Sequence, residues 1–234
     1  MGWRVVPMVT LQAVSYMLPN GRFLLKDISL QLTQHEKLAL LGANGSGKTT
    51  LLHLLAGVLQ PTSGSIIWEP TPQPGEVQLL LQNPSFQTLG VTVRDELAFG
   101  QRLLNRDETT SELAIEHSLA RLQIPANREL TQLSGGELQQ VVAEAVRIVS
   151  PRLLLCDEPA MYLPPVRRKQ LQDELFNDSY AIVWVTPSLS EALSFPRIIA
   201  LHEGKIVFDG NGEVLQTMTE SLRQWQFVVD EVDK

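Results

Sequence analysis

The sequence predicts an α/β fold with three parts: a mostly parallel sheet, an N-terminal antiparallel β subdomain, and an inserted helical subdomain. Three observations point there. The hydrophobic period switches repeatedly along the chain between two and the helical value. The later strand-like runs are continuously apolar, as in parallel strands covered on both faces. Between 84 and 150 the pattern turns helical instead, so the 234 residues read as one domain in which 1–83 and 151–234 form the sheet core around that insertion.

Taken in order, Met8 to Val14 and then Ile28, Leu30 and Leu32 alternate as half-buried antiparallel strands, with the turn-forming Pro19-Asn20-Gly21 between them. Lys37 to Leu41 is a short apolar strand running into a glycine-rich turn, and Thr50 to Val58 follows as a helix closed by Gln60-Pro61. Val77 to Leu81, Leu153 to Cys156, Ala181 to Val185 and Ile198 to Leu201 are further buried strands. Thr110 to Leu122 and Ser134 to Val149 are the helices of the insertion, and Glu213 to Gln226 is expected as a closing helix.

Composition excludes several classes. A hydrophobic share of 44% against 19% charged residues excludes a disordered chain, and a single cysteine excludes a disulfide scaffold. The formal charge of −7 gives no basic field to recruit nucleic acid or an anionic membrane surface, so no nucleic-acid partner is expected. No run approaches the roughly eighteen apolar residues that would span a bilayer, so the expectation is a cytoplasmic protein that reaches any membrane through partners.

Gly42-Ala43-Asn44-Gly45-Ser46-Gly47-Lys48-Thr49 matches the eight-residue phosphate loop and lies between a strand and a helix, where that motif works. Glycines let the backbone wrap a phosphate chain with its N–H groups inward, and the helix that follows adds the positive end of its dipole. Lys48 then reaches the outer phosphates, and the Thr49 hydroxyl ligates Mg²⁺. A second apolar strand ends in Asp157-Glu158-Pro159. Asp157 there can hold Mg²⁺ through water, and Glu158 can orient or deprotonate the attacking water.

Leu133-Ser134-Gly135-Gly136-Glu137, ahead of the Asp157 strand, resembles the signature motif of the ATP-binding cassette (ABC) ATPases. Physically, Ser134 and Glu137 make a capping box, while Gly135 and Gly136 open the helix start to an anion. Gln82 looks like the Q-loop glutamine of that family, a Mg²⁺ and water ligand as well as a hinge. The stretches Gln82-Asn83-Pro84-Ser85-Phe86-Gln87 and Thr92-Val93-Arg94-Asp95-Glu96-Leu97-Ala98-Phe99-Gly100 look like the ATPase subunits of energy-coupling-factor transporters.

The resemblance implies a P-loop NTPase of ABC type with ATP and Mg²⁺ as cofactors. Gly42 to Thr50 would bind the nucleotide, Thr49, Gln82 and Asp157 the metal, and Glu158 and Gln82 would carry catalysis. It also implies a head-to-tail dimer with a second ABC ATPase subunit, each ATP lying between one chain's phosphate loop and the other's Ser134 to Glu137. Integral membrane subunits would dock on the 83–100 region, placing the chain peripherally on the inner face of the cell membrane. The activity implied is transport-coupled ATP hydrolysis for an importer of a small nutrient, a metal ion or a vitamin.

Four positions depart from the family's pattern. Pro187 stands where a histidine contacts the γ-phosphate, and Pro164 where the loop after Glu158 carries an aspartate. Leu18 replaces the aromatic that stacks on adenine, and Gln140 replaces an arginine after the signature. Low intrinsic turnover, as the less active half of an asymmetric dimer, is the resulting expectation. Two alternatives stand beside it: a soluble cassette protein without a membrane partner, and a regulator that binds nucleotide without hydrolysing it.

Overall fold

A computed structural model of the chain describes residues 6–103, 108–161 and 163–227. It divides into two compact units, Met1–Pro72 with Ala181–Lys234, and Gln73–Tyr180.

The first unit opens with β1 (Val9–Met17) and β2 (Phe23–Leu32), an antiparallel pair with Leu11 opposite Leu30 and Val14 opposite Ile28. The turn between them forms at Pro19-Asn20-Gly21: Gly21 adopts φ 82°, and the Asn20 side chain accepts from the Arg22 N–H. A third strand, β4 (Ser63–Trp68), which the sequence pattern did not announce, covers the other edge of β1. Ser63-Gly64-Ser65 opens it without alternation, so its residues Ile66 and Trp68 gain strand geometry only by pairing with Leu11 and Val9.

The same unit holds four more strands. β3 (Lys37–Leu41) lies between β7 (Ala181–Thr186) and β8 (Arg197–His202), parallel to both, and all three are buried as their continuous apolar runs predicted. β9 (Lys205–Gly210) closes the edge as an antiparallel hairpin with β8. Arg197 clamps this region by donating to both Asp209 oxygens (2.7 and 2.6 Å), to Glu36 (2.7 Å) and to the Gln31 carbonyl (2.9 Å). The expected closing helix is two short ones, Gly212–Thr217 and Thr219–Gln224, with Met218 out of helical geometry between them. The Thr217 hydroxyl bonds the Val214 carbonyl and ends the first of them.

In the second unit, β5 (Val77–Leu80) pairs parallel with β6 (Leu153–Asp157). Among the described residues four α-helices accompany them: α2 (Val93–Leu103), α3 (Glu108–Leu122), α4 (Gly135–Arg147) and α5 (Pro165–Phe176). α3 is the helix expected at Thr110 to Leu122, whereas α2 is an additional helix, which Thr92 and Asp95 cap reciprocally: the Asp95 N–H donates to the Thr92 hydroxyl and the Thr92 N–H to the Asp95 carboxylate. α4 packs on α2 and α3.

Where α3 and α4 meet, Glu144 is buried and accepts from Arg121 at 3.1 Å. Burial pushes the Glu144 carboxyl up to about 7, with a hydrogen bond from Ser118 opposing and the charges of Glu174 and Asp178 adding to it. The folded state therefore holds this proton more tightly than the unfolded chain, whose glutamate titrates near 4.5. Its contribution is fully present below about pH 4.5 and is lost as pH rises through about 7. Urea unfolding at pH 5 and pH 8 should show wild type losing more stability over that interval than Glu144→Gln; equal losses would contradict the buried proton.

Candidate functional site

β3 delivers the chain into the phosphate loop, and α1 (Lys48–Leu55) carries it away. The loop's shape depends on two glycines at positive φ, Gly45 at 81° and Gly47 at 107°. A Cβ on Gly47 would lie 2.8 Å from both the Leu24 carbonyl and a Leu25 methyl, and one on Gly42 would lie 2.6 Å from the Leu201 carbonyl. The loop is therefore pressed against its neighbours at points where no side chain fits. The Gly204 N–H donates to the Ser46 carbonyl, and the Gly204 carbonyl accepts from the Lys26 N–H. Both bonds tie the loop to the β8–β9 turn and to β2.

Lys48 is 5% exposed, and its ammonium donates to the Gly42 and Ala43 carbonyls at 2.8 and 3.1 Å, which holds the charge over the loop. The Ser46 hydroxyl is buried without a hydrogen-bond partner, a donor suited to a phosphate oxygen. Asn44, Gly45 and Thr49 are exposed on the open side. Such a cradle, at the carboxyl ends of parallel strands and at a helix N-terminus, suits a phosphate chain. Leu41 is in register with Thr186 of β7, so Pro187 leaves the sheet beside the start of the loop. Ser188 then caps a short helix, Leu189–Ala192.

The second unit carries the acids and the signature. Asp157 ends β6 at 7% exposure, and Glu158 follows with φ 47°, a left-handed backbone that costs about 1–2 kcal/mol for a residue with a Cβ. This conformation ends the extended geometry of β6 at Asp157. Gln82 follows β5, and its amide donates to the Met161 thioether at 2.7 Å. No sequence signal announced that contact. Tyr162, beside Met161, lies outside the described residues. Pro164 caps α5, and Arg167, Arg168 and Lys169 are exposed along it.

Ser134 and Glu137 form the expected capping box: the Ser134 hydroxyl accepts from the Glu137 N–H, and the Glu137 carboxylate accepts from the Ser134 N–H at 2.8 Å. These Ser134 bonds, with Arg128 at 2.9 Å, hold the Glu137 carboxyl below the ordinary range. Gly135 has open space around it, and Gly136 faces Leu163.

A phosphate loop entered from a buried parallel strand, an acid pair closing a second buried strand and a capped glycine pair define a nucleotide-binding domain of the P-loop class. The chain matches the ABC transporter family over residues 25–161 and belongs to it. It is 32% identical over 220 residues to the cobalt import ATP-binding protein CbiO of Syntrophus aciditrophicus, covering 87% of this chain and 78% of that one. It is also 32% identical over 230 residues to the energy-coupling factor transporter ATP-binding protein EcfA1 of Halalkalibacterium halodurans, covering 88% and 79%. The solved structure of CbiO1 from Clostridium perfringens, part of the ABC transporter complex CbiONQ, superposes with a TM-score of 0.80 over 93% of this chain and 94% of that one. At 23% identity this last likeness is one of fold.

Gly47→Ala adds a Cβ against a backbone carbonyl at a φ that L residues avoid, and is expected to cost about 2–4 kcal/mol of stability. Urea denaturation measures it; a loss under about 0.5 kcal/mol, the range of an ordinary surface substitution, would show that the loop is not held as described.

Proposed function

We propose that the chain binds ATP with Mg²⁺ and hydrolyses it as the ATPase subunit of a membrane transporter, an importer of a small nutrient of the energy-coupling-factor kind. One observation carries the reading: Lys48 and the backbone of Gly42 to Thr49 form a cradle for a phosphate chain. The relatives' names, cobalt import and energy-coupling factor transport, support a metal ion as the small nutrient and an energy-coupling-factor transporter as the assembly; a vitamin is the other nutrient that the sequence resemblance implies.

On this reading Lys48 neutralises the outer phosphates, and the N–H groups of the loop hold the rest. Thr49 and Asp157 are oxygen donors of the kind Mg²⁺ takes, and the metal, when bound, withdraws charge from the phosphate oxygens. Glu158 orients the attacking water and accepts its proton, while Gln82 leaves Met161 to join that water and the metal. Ser134, Gly135, Gly136 and Glu137 present a capped helix start to the ATP on the partner's phosphate loop.

Pro187 brings neither an imidazole nor an N–H to the site, and Pro164 removes a carboxylate from the loop after Glu158. Binding is therefore retained and hydrolysis slowed, which favours an asymmetric heterodimer in which a second ABC ATPase subunit carries the faster phosphate loop. The membrane subunits dock on the 83–100 region, which places the chain in the cytoplasm against the membrane's inner face. Support comes from exposed Phe86, Leu89 and Val91 and from a cleft of about 360 Å³ lined by Leu89, Phe99, Val142 and Val149. Glu96 accepts from the Leu89 and Gly90 N–H groups (2.8 and 2.7 Å) and holds this rim in shape.

With partner subunits present, Lys48→Ala should lose ATP binding. Glu158→Gln should keep binding and lower turnover from the site built on this chain's own loop by about 10²–10³-fold. Phe86→Ser with Leu89→Ser should keep ATP binding while the chain no longer purifies with membrane subunits. ATP binding that survives Lys48→Ala unchanged would refute the phosphate-loop reading, and membrane association that survives the double variant would refute the docking surface.

A further inference from the structure

A cleft of about 440 Å³ opens at the phosphate loop, lined by Ala43 and Ser46 of the loop and by Arg22, Phe23 and Lys26. Leu18, at the position where the family pattern has its base-stacking aromatic, does not line it. Phe23 does, and it is 44% exposed, the one exposed aromatic side chain among the described residues of the first unit. Its place follows from the fold. Phe23 pairs with Met17 at the mouth of the β1–β2 hairpin. The next residues, Leu24 and Leu25, lie against Gly47 of the loop, so β2 carries Phe23 to the loop's edge.

An apolar ring left open to water beside a phosphate cradle is unfavourable unless something covers it, and the flat face of a nucleobase is the partner such a ring takes. The surrounding charge agrees. Arg22 and Lys26 take no part in the ion pairs found among the described residues, and together they outweigh Glu203 among the residues that line the cleft. The volume lies in the range of pockets that take small ligands.

We propose that Phe23 is the stacking platform for the base of the bound nucleotide and replaces the aromatic missing at Leu18, with Arg22 and Lys26 adding positive potential at the same wall. This rests on the phosphate loop being a nucleotide site, and the test separates the two.

Binding of Mg·ATP and of inorganic tripolyphosphate to the full chain is compared by calorimetry for wild type, Phe23→Ala, Phe23→Trp and Leu18→Ala. Tripolyphosphate has no base, so it reads the phosphate loop and the fold alone. Phe23→Ala should weaken ATP about tenfold, on the scale of one base–aromatic stack, and leave tripolyphosphate unchanged; Phe23→Trp should bind ATP at least as tightly as wild type. If Phe23→Ala leaves ATP affinity intact, or Leu18→Ala is the variant that weakens ATP alone, the assignment of Phe23 is overturned while the phosphate loop stands. If both probes weaken equally in Phe23→Ala, the residue supports the loop rather than the base, and the assignment is again overturned. Wild type that binds neither probe overturns the nucleotide site itself, and this inference with it.

Discussion

Position 47 has to lack a side chain. At φ 107° and with the Leu24 carbonyl where a Cβ would go, only glycine lets the phosphate loop close down on β2. Gly204 sets a second such contact, since a Cβ there would also meet the Leu24 carbonyl. Its N–H and carbonyl bridge Ser46 to Lys26. Three backbone segments distant in sequence thus meet without side chains between them. The presentation of Phe23 at the loop's edge follows from that junction, because Leu24 and Leu25 beside it lie against Gly47. The N-terminal antiparallel sheet is in this sense part of the site, because it supplies the surface the loop is pressed against.

Binding and hydrolysis make different demands, and the chain meets them unequally. Phosphate binding asks for backbone donors, one ammonium and a hydroxyl, all of which β3, the loop and α1 supply. Hydrolysis also asks for groups that follow charge as it develops on the γ-phosphate and on the attacking water. On the proposed reading Glu158, in a strained backbone, and Gln82, on the Met161 thioether, serve the water. On the same reading β7 brings Pro187 toward the γ-phosphate, and proline has no proton to offer. On the proposed reading this imbalance is what assigns the chain to the slower half of a pair.

Much of this was legible in the sequence because the signals were local. The apolar run into Gly42 to Thr49 names its strand, loop and helix at once, and Ser134 with Glu137 three residues on names a capped helix. Continuously apolar β3, β7 and β8 announced parallel neighbours. The edge strands Ser63–Trp68 and β9 were not legible, since pairing with β1 and β8 rather than their own pattern makes them strands. The break at Met218 and the additional helix α2, capped by Thr92 and Asp95, are local features that hydrophobic periodicity does not register. Phe23 and Met161 read as unremarkable apolar residues, and their roles come from backbone positions that only the folded chain brings near Ala43 and Gln82.

On the proposed reading this chain's own site binds ATP and lacks one group for turning it over. The most direct test is steady-state ATP hydrolysis by the purified chain with Mg²⁺, wild type beside Pro187→His. Slow turnover by wild type at saturating ATP is expected, with a faster rate in Pro187→His and little change in affinity. Fast turnover by wild type that Pro187→His leaves unchanged would contradict this reading.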